Sequence, residues 1–133
     1  MRDLFVIFFL VIGPVVNSQE TKIYPCKPVC NIGVRIAEYR SADSITKWAL
    51  LKAGTVTAEA GAFTVLSYRL TLDGSGFCCG GCEIDNPGDK FSERTVLIFQ
   101  KLRSGNFLSI DCITAKDLCG NIVGLKPAFY IIR

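Results

Sequence analysis

Three of the seven cysteines fall within five residues, in the stretch Phe77-Cys78-Cys79-Gly80-Gly81-Cys82, with Cys26 and Cys30 before it and Cys112 and Cys119 after it. No other feature restricts the possible folds as much. A cluster with partners on both sides is a natural clasp between the two halves of a chain. Cys78 and Cys79 are expected to reach different partners, because a ring closed between neighbours strains the peptide between them. In an oxidising compartment such a framework reads as disulfides. Each bridge then stabilises a small secreted domain by roughly 2–5 kcal/mol. Seven is odd, which leaves one thiol either free and buried or joining two chains as a homodimer.

The compartment follows from the first residues. Arg2 precedes an unbroken apolar run, Leu4–Ile12, which Gly13-Pro14 breaks, and Val16-Asn17-Ser18 offers a site for cleavage. That pattern predicts a signal peptide over 1–18, and a single cysteine-rich β-domain over 19–133. The apolar run is shorter than the roughly 20 residues a spanning helix needs. No later stretch is long enough, so a secreted, extracellular protein is expected, not a membrane-spanning one. It carries no Asn-x-Ser/Thr acceptor. The net charge of +3 comes from scattered basic residues rather than a dense run. Nucleic acid is therefore not an expected partner.

The available chemistry is narrow. Without a single histidine, the common general base and the Ser-His-Asp and Cys-His arrangements are absent. Cys79-Gly80-Gly81-Cys82 has a zinc-knuckle spacing, which Cys112 and Cys119 could complete. The second pair is spaced by six residues, however, and export favours oxidation. No metal and no cofactor is expected. Asp73, Glu83, Asp85 and Asp89 gather near the cysteine cluster, but they lack the ordered ligand spacing of a calcium loop. The glycines at 74, 76, 80 and 81 read as tight turns beside disulfides. Enzymatic activity is not expected.

Short β-runs punctuated by turns fill the mature region. Asn31–Tyr39 alternates as a half-buried strand, with Ile32, Val34 and Ile36 on one face. Ile45–Ala53 reads as helix or strand. As a helix it is capped by Ser41, Asp43 or Ser44, ends at Gly54, and shows Ile45, Trp48, Ala49 and Lys52 on one face; Trp48 is expected in the core. Thr55–Ala58 and Ala62–Leu72 read as strands, the second with Leu66, Tyr68, Leu70 and Leu72 facing inward. Glu83–Ser92 reads as a loop around the turn Asn86-Pro87-Gly88-Asp89. Thr95–Leu102 and Phe107–Thr114 read as a hairpin across Arg103-Ser104-Gly105-Asn106. Cys112 is expected to point inward. Lys116–Pro127 reads as a loop and Ala128–Ile132 as a closing strand. The fold class is thus mainly β: a small disulfide-stapled barrel, OB-like, or a sandwich, with at most one or two short helices.

Cys30-Asn31-Ile32-Gly33-Val34-Arg35-Ile36, the stretch Tyr68–Gly74, and Thr95-Val96-Leu97-Ile98-Phe99 with Gly105, Leu108 and Asp111-Cys112 together resemble the netrin-like domain. Netrin C-termini and the tissue inhibitors of metalloproteases share this domain. The resemblance covers about half of the mature chain. It implies an OB-like five-stranded barrel and a secreted binding or inhibitory role. In the inhibitors an N-terminal cysteine chelates the target's zinc through its free amine and carbonyl. Cys26 is the nearest candidate here, although the spacing is Cys26-x-x-x-Cys30 where the family opens Cys-x-Cys. The residues themselves point to an extracellular protein partner, bound by loops on a stapled scaffold. Glu83, Asp85, Asn86, Asp89 and Lys90 are the candidate contact residues.

Overall fold

The structure is a computed structural model that describes residues 25–75 and 81–133. The expected signal peptide, Cys78 and Cys79 lie outside the described residues. Nine strands and two short helices occur among them: β1 Val34–Ile36, β2 Tyr39–Arg40, β3 Ser44–Ile45, α1 Lys47–Ala53, β4 Thr57–Ala58, β5 Thr64–Asp73, β6 Cys82–Pro87, α2 Glu93–Phe99, β7 Phe107–Lys116, β8 Ile122–Leu125 and β9 Ala128–Ile132. The fold is mainly β, as expected. The larger sheet runs β3-β9-β7-β5-β6, with β8 also on β7, and the smaller runs β2-β1-β4. Neither sheet closes on itself among the described residues, so the layered, sandwich-like alternative forms rather than a closed barrel.

Strands β5 and β7 are the spine. They pair antiparallel from Thr64↔Lys116 to Asp73↔Phe107. Tyr68, Leu70 and Leu72 are buried from β5, and Leu108 and Ile110 from β7. Leu66 breaks the expected alternation and is only half-buried, while its neighbour Val65 is buried. The cause is a register shift between Val65 and Ser67, since one extra residue turns the following side chains to the opposite face. β8 and β9 share one edge of β7, on its second and first halves respectively. The loop expected over Lys116–Pro127 therefore contains a strand.

Two further readings are corrected. The span Asn31–Tyr39 is not one strand: after Ile36 the chain turns at Ala37, which has φ 53°, and returns as β2. The span Glu83–Ser92 is not all loop: Cys82–Pro87 pairs with β5 from Leu72↔Cys82 to Ser67↔Pro87.

The largest correction is α2. The expected strand Thr95–Leu102 is a helix over Glu93–Phe99, so the expected hairpin with β7 does not form. Its start is specified by Ser92, whose Oγ accepts from the Thr95 N–H at 3.2 Å. Phe91 before that cap and Val96 in the first turn line one shallow cavity, the arrangement of a hydrophobic staple. Thr95, Phe99 and Leu102 are the buried positions, a spacing of four then three. That is a helical period. The β-branched composition of Thr95-Val96-Leu97-Ile98 outvoted those signals in the sequence.

The ambiguous stretch at 45–53 resolves into α1, Lys47–Ala53. Thr46, rather than Ser41, Asp43 or Ser44, is its cap: its Oγ1 accepts from Ala49 N–H at 3.1 Å. Gly54 ends it as expected, at φ 71°. The buried face is centred on Leu50, and Trp48 lies 78% exposed. Trp48 is thus a surface residue, not the core residue expected.

One contiguous core holds these layers together. Tyr130 sits in it fully buried, with its hydroxyl donating to Tyr39 O at 2.9 Å. Burial pushes its pKa up to about 12, opposed in part by the Ile36 backbone and reinforced by the Asp43 and Glu59 charges. The folded state therefore holds this proton more tightly than the unfolded chain, where tyrosine titrates near 10. Stability contributed by Tyr130 is complete below pH about 10 and is lost as pH rises from there through about 12. Denaturant titrations at stepped alkaline pH should show that decline, and Tyr130→Phe should flatten part of it.

Candidate binding face

β5, β6 and β7 present two unlike faces. Tyr68, Leu70, Leu72 and Ile84 turn inward. Ser67, Arg69, Glu83 and Asp85 alternate with them and turn outward. Pairing places Arg69 directly between Asp85 on β6 and Asp111 on β7. The Arg69 Nε lies 3.6 Å from Asp85 Oδ1 and 3.9 Å from Glu83 Oε2. These are surface pairs, each worth little to stability. Two carboxylates flank the one guanidinium and Asp111 stands beside it in register, so the face carries more acid than base.

The N-terminal arm crosses this face. Cys26 is disulfide-bonded to Cys112, 86 positions away in sequence, with Cα atoms 4.9 Å apart. Between the Ser67↔Thr114 and Arg69↔Asp111 pairs, β7 has two residues where β5 has one. The extra residue is a bulge, and Cys112 sits in it with φ 48°. The bulge re-aims the Cys112 side chain from its place in the alternation towards the arm. Cys112 is thus half-buried against the arm rather than pointing inward across the core. Pro25, Cys26, Ser67, Arg69, Asp85 and Cys112 line a cleft of about 340 Å³. Ser67 is buried beneath the arm, and its Oγ has no hydrogen-bond partner among the described residues; the same holds for Asp111 Oδ1.

The other cysteines divide. Among the described residues, Cys30 and Cys82 are half-buried free thiols packed against the core, and Cys119 is an exposed one. One bridge, Cys26–Cys112, is present among the described residues, where three were expected in the whole chain. Cys119 lies in the turn after β7. There Asp117 Oδ1 accepts from the N–H groups of Cys119 and Asn121, both at 2.9 Å. The bond from the Asn121 backbone is the chief cause that holds the Asp117 carboxyl below the usual carboxylate range.

The five candidate contact residues do not act alike. Glu83 and Asp85 are exposed on the acidic face, and Lys90 is exposed beyond it. Asn86 is fully buried. Its Nδ2 donates to the carbonyls of Pro87, Gly88 and Lys90, the last at 2.9 Å. Its Oδ1 accepts from Ser92 N–H at 2.9 Å and Thr95 Oγ1 at 2.7 Å. Asn86 is therefore the internal frame of the 86–92 turn and the anchor of α2. Asp89 is half-buried, and its carbonyl accepts from Val56 N–H, Thr55 Oγ1 and the Tyr68 hydroxyl. Burial of that hydroxyl, reinforced by the Asp89 charge, raises the pKa of Tyr68. The turn is held from within and shows its charges outward.

Ser67, Arg69 and Asp111 escaped the sequence reading because they lie far from Glu83 in the chain. Only the β5 pairing brings them together. Among the described residues, no three acidic or cysteine side chains converge as a metal-ligand set, and no helix is long and apolar enough to cross a membrane. No protein-family model matches the chain, and no curated protein matches it.

Proposed function

We propose that the protein is a secreted, disulfide-stabilised binding domain with no catalysis of its own, which takes an extracellular protein partner on the acidic face of β5, β6 and β7. The observation that carries this reading is the rigid mounting of that face. Cys26–Cys112 pins the arm to one side of it, and Asn86 locks the turn on the other. Preorganised surfaces lose less freedom on binding, so contact energy is not spent on ordering them. Glu83 and Asp85 favour a partner that offers basic side chains. An exposed Cys119 is the thiol we assign to a disulfide-linked homodimer, where one forms. Inhibition of a zinc protease through a free amine at Cys26 is the alternative.

The test uses the secreted protein with a photo-crosslinker at position 85 or, as a control, at position 118. The reading expects crosslinks to an extracellular protein from position 85 alone, weakened about tenfold in yield by Glu83→Gln with Asp111→Asn. Equal crosslinking from both positions, or no effect of the substitutions, would remove the face from consideration. A mature chain that begins at Cys26 and inhibits a secreted zinc protease would favour the alternative.

A further inference from the structure

The two helices lie on the opposite side of the larger sheet from the acidic face. The buried hydroxyl of Thr95 in α2 reaches the inward side chain of Asn86, while Glu83 and Asp85 point the other way along the same strand. The buried residue of α1, Leu50, and those of α2, Thr95 and Phe99, turn into the protein. The helices touch each other, and Lys47 Nζ donates to Gln100 O at the end of α2, at 3.1 Å. Their outward faces therefore form one surface.

That surface is basic and carries isolated apolar tips. Trp48 is 78% exposed and Leu97 61%. Lys52 stands one turn from Trp48, and Arg94 and Lys101 stand on either side of Leu97, all exposed. Arg133 joins them, because its N–H donates to Ile45 O just before α1. Glu93 is the one carboxylate in either helix, and Glu38 shares a cleft with Lys52 beside α1. None of these cations makes an ion pair with another described residue.

We propose that this helical surface docks on an anionic lipid membrane. Indole and leucyl side chains that protrude singly from helix faces suit a fluid headgroup boundary, which moulds around them. The lysine and arginine heads around them suit anionic headgroups. Apolar insertion and a basic patch are the two signals that together give stable peripheral attachment. The acidic side of the sheet is repelled by the same membrane. The protein's own polarity therefore sets its orientation and leaves the cleft beside Arg69 facing away from the lipid.

Trp48 is the one tryptophan in the chain and reports directly. The full secreted protein is mixed with vesicles of phosphatidylcholine alone or of phosphatidylcholine with phosphatidylserine. Co-sedimentation with the anionic vesicles only is expected, with Trp48 emission shifting to the blue and becoming shielded from aqueous acrylamide. Trp48→Ala lowers the partition coefficient about tenfold. Arg94→Glu with Lys101→Glu lowers it by at least about tenfold. Leu118→Ala, at a tip 86% exposed elsewhere, leaves it unchanged. All four positions are at the surface, so the variants fold, which near-ultraviolet circular dichroism verifies. Equal binding to both vesicle types, no binding to either, Trp48 still quenched when bound, or Trp48→Ala binding like the parent would each overturn the proposal. None of these results depends on whether the opposite face takes a protein partner.

Discussion

Asn86→Ala is expected to destabilise the protein by about 3–5 kcal/mol, a large share of the margin of a small domain. The side chain is fully buried and sits at the centre of five hydrogen bonds. Alanine removes all of them and leaves the Ser92 N–H and the Thr95 hydroxyl inside the protein without this acceptor. Each such orphan costs roughly 1–3 kcal/mol. The damage extends to α2, because Ser92 is its cap and Thr95 its first buried residue. Asn86→Asp separates the two halves of the role. It can still accept from Ser92 and Thr95, but it cannot donate to the three carbonyls, and it places a charge in the core. It should therefore be at least as damaging as alanine at neutral pH and recover partly in mild acid. Urea unfolding of the three proteins measures this. A loss below about 1 kcal/mol for Asn86→Ala would contradict the role given to the residue.

The second large effect is expected on removing the bridge. Replacing both Cys26 and Cys112 by serine should cost roughly 4 kcal/mol, because the bridge closes a long loop whose freedom the unfolded chain regains. The same pair also fixes the arm over Ser67 and forms one wall of the cleft. Proteolysis near Pro25 should therefore accelerate in the variant while cleavage within β5 and β7 rises less. Cys112 adds a second handle. Its φ of 48° is a conformation that glycine adopts without strain and other residues do not. Cys26→Ser with Cys112→Gly should thus be about 1 kcal/mol more stable than the double serine variant. If it is less stable, the bulge is not held as described.

What was legible in the sequence was whatever short-range pattern specifies. The strands at β5, β7 and β9 were readable from alternation, and the end of α1 from Gly54. What was not legible depends on distant pairing. β6 looked like a turn-rich loop because Glu83, Asp85 and Asn86 are poor strand formers. It is a strand because β5 supplies the partner. α2 looked like a strand because Thr95, Val96 and Ile98 are β-branched, although Ser92, Phe91 and Val96 carried the helix-start signals. Trp48 looked like core because large aromatics usually are. The helix instead turns Leu50 inward, and nothing local decides which face a seven-residue helix buries. Of the site, Glu83 and Asp85 were visible in advance, but Asn86 proved to be its frame rather than its surface. Arg69, Ser67 and Asp111 join it only through sheet pairing.

The central claim is that the protein is exported and clasped through Cys26 and Cys112 into a rigid binding module. Non-reducing peptide mapping of the protein recovered from culture medium, with free thiols alkylated first, tests it directly. The predicted result is a mature chain that starts near Gln19 and yields a Cys26–Cys112 linked peptide. Retention of the uncleaved chain inside the cell, or alkylation of both Cys26 and Cys112, would contradict it.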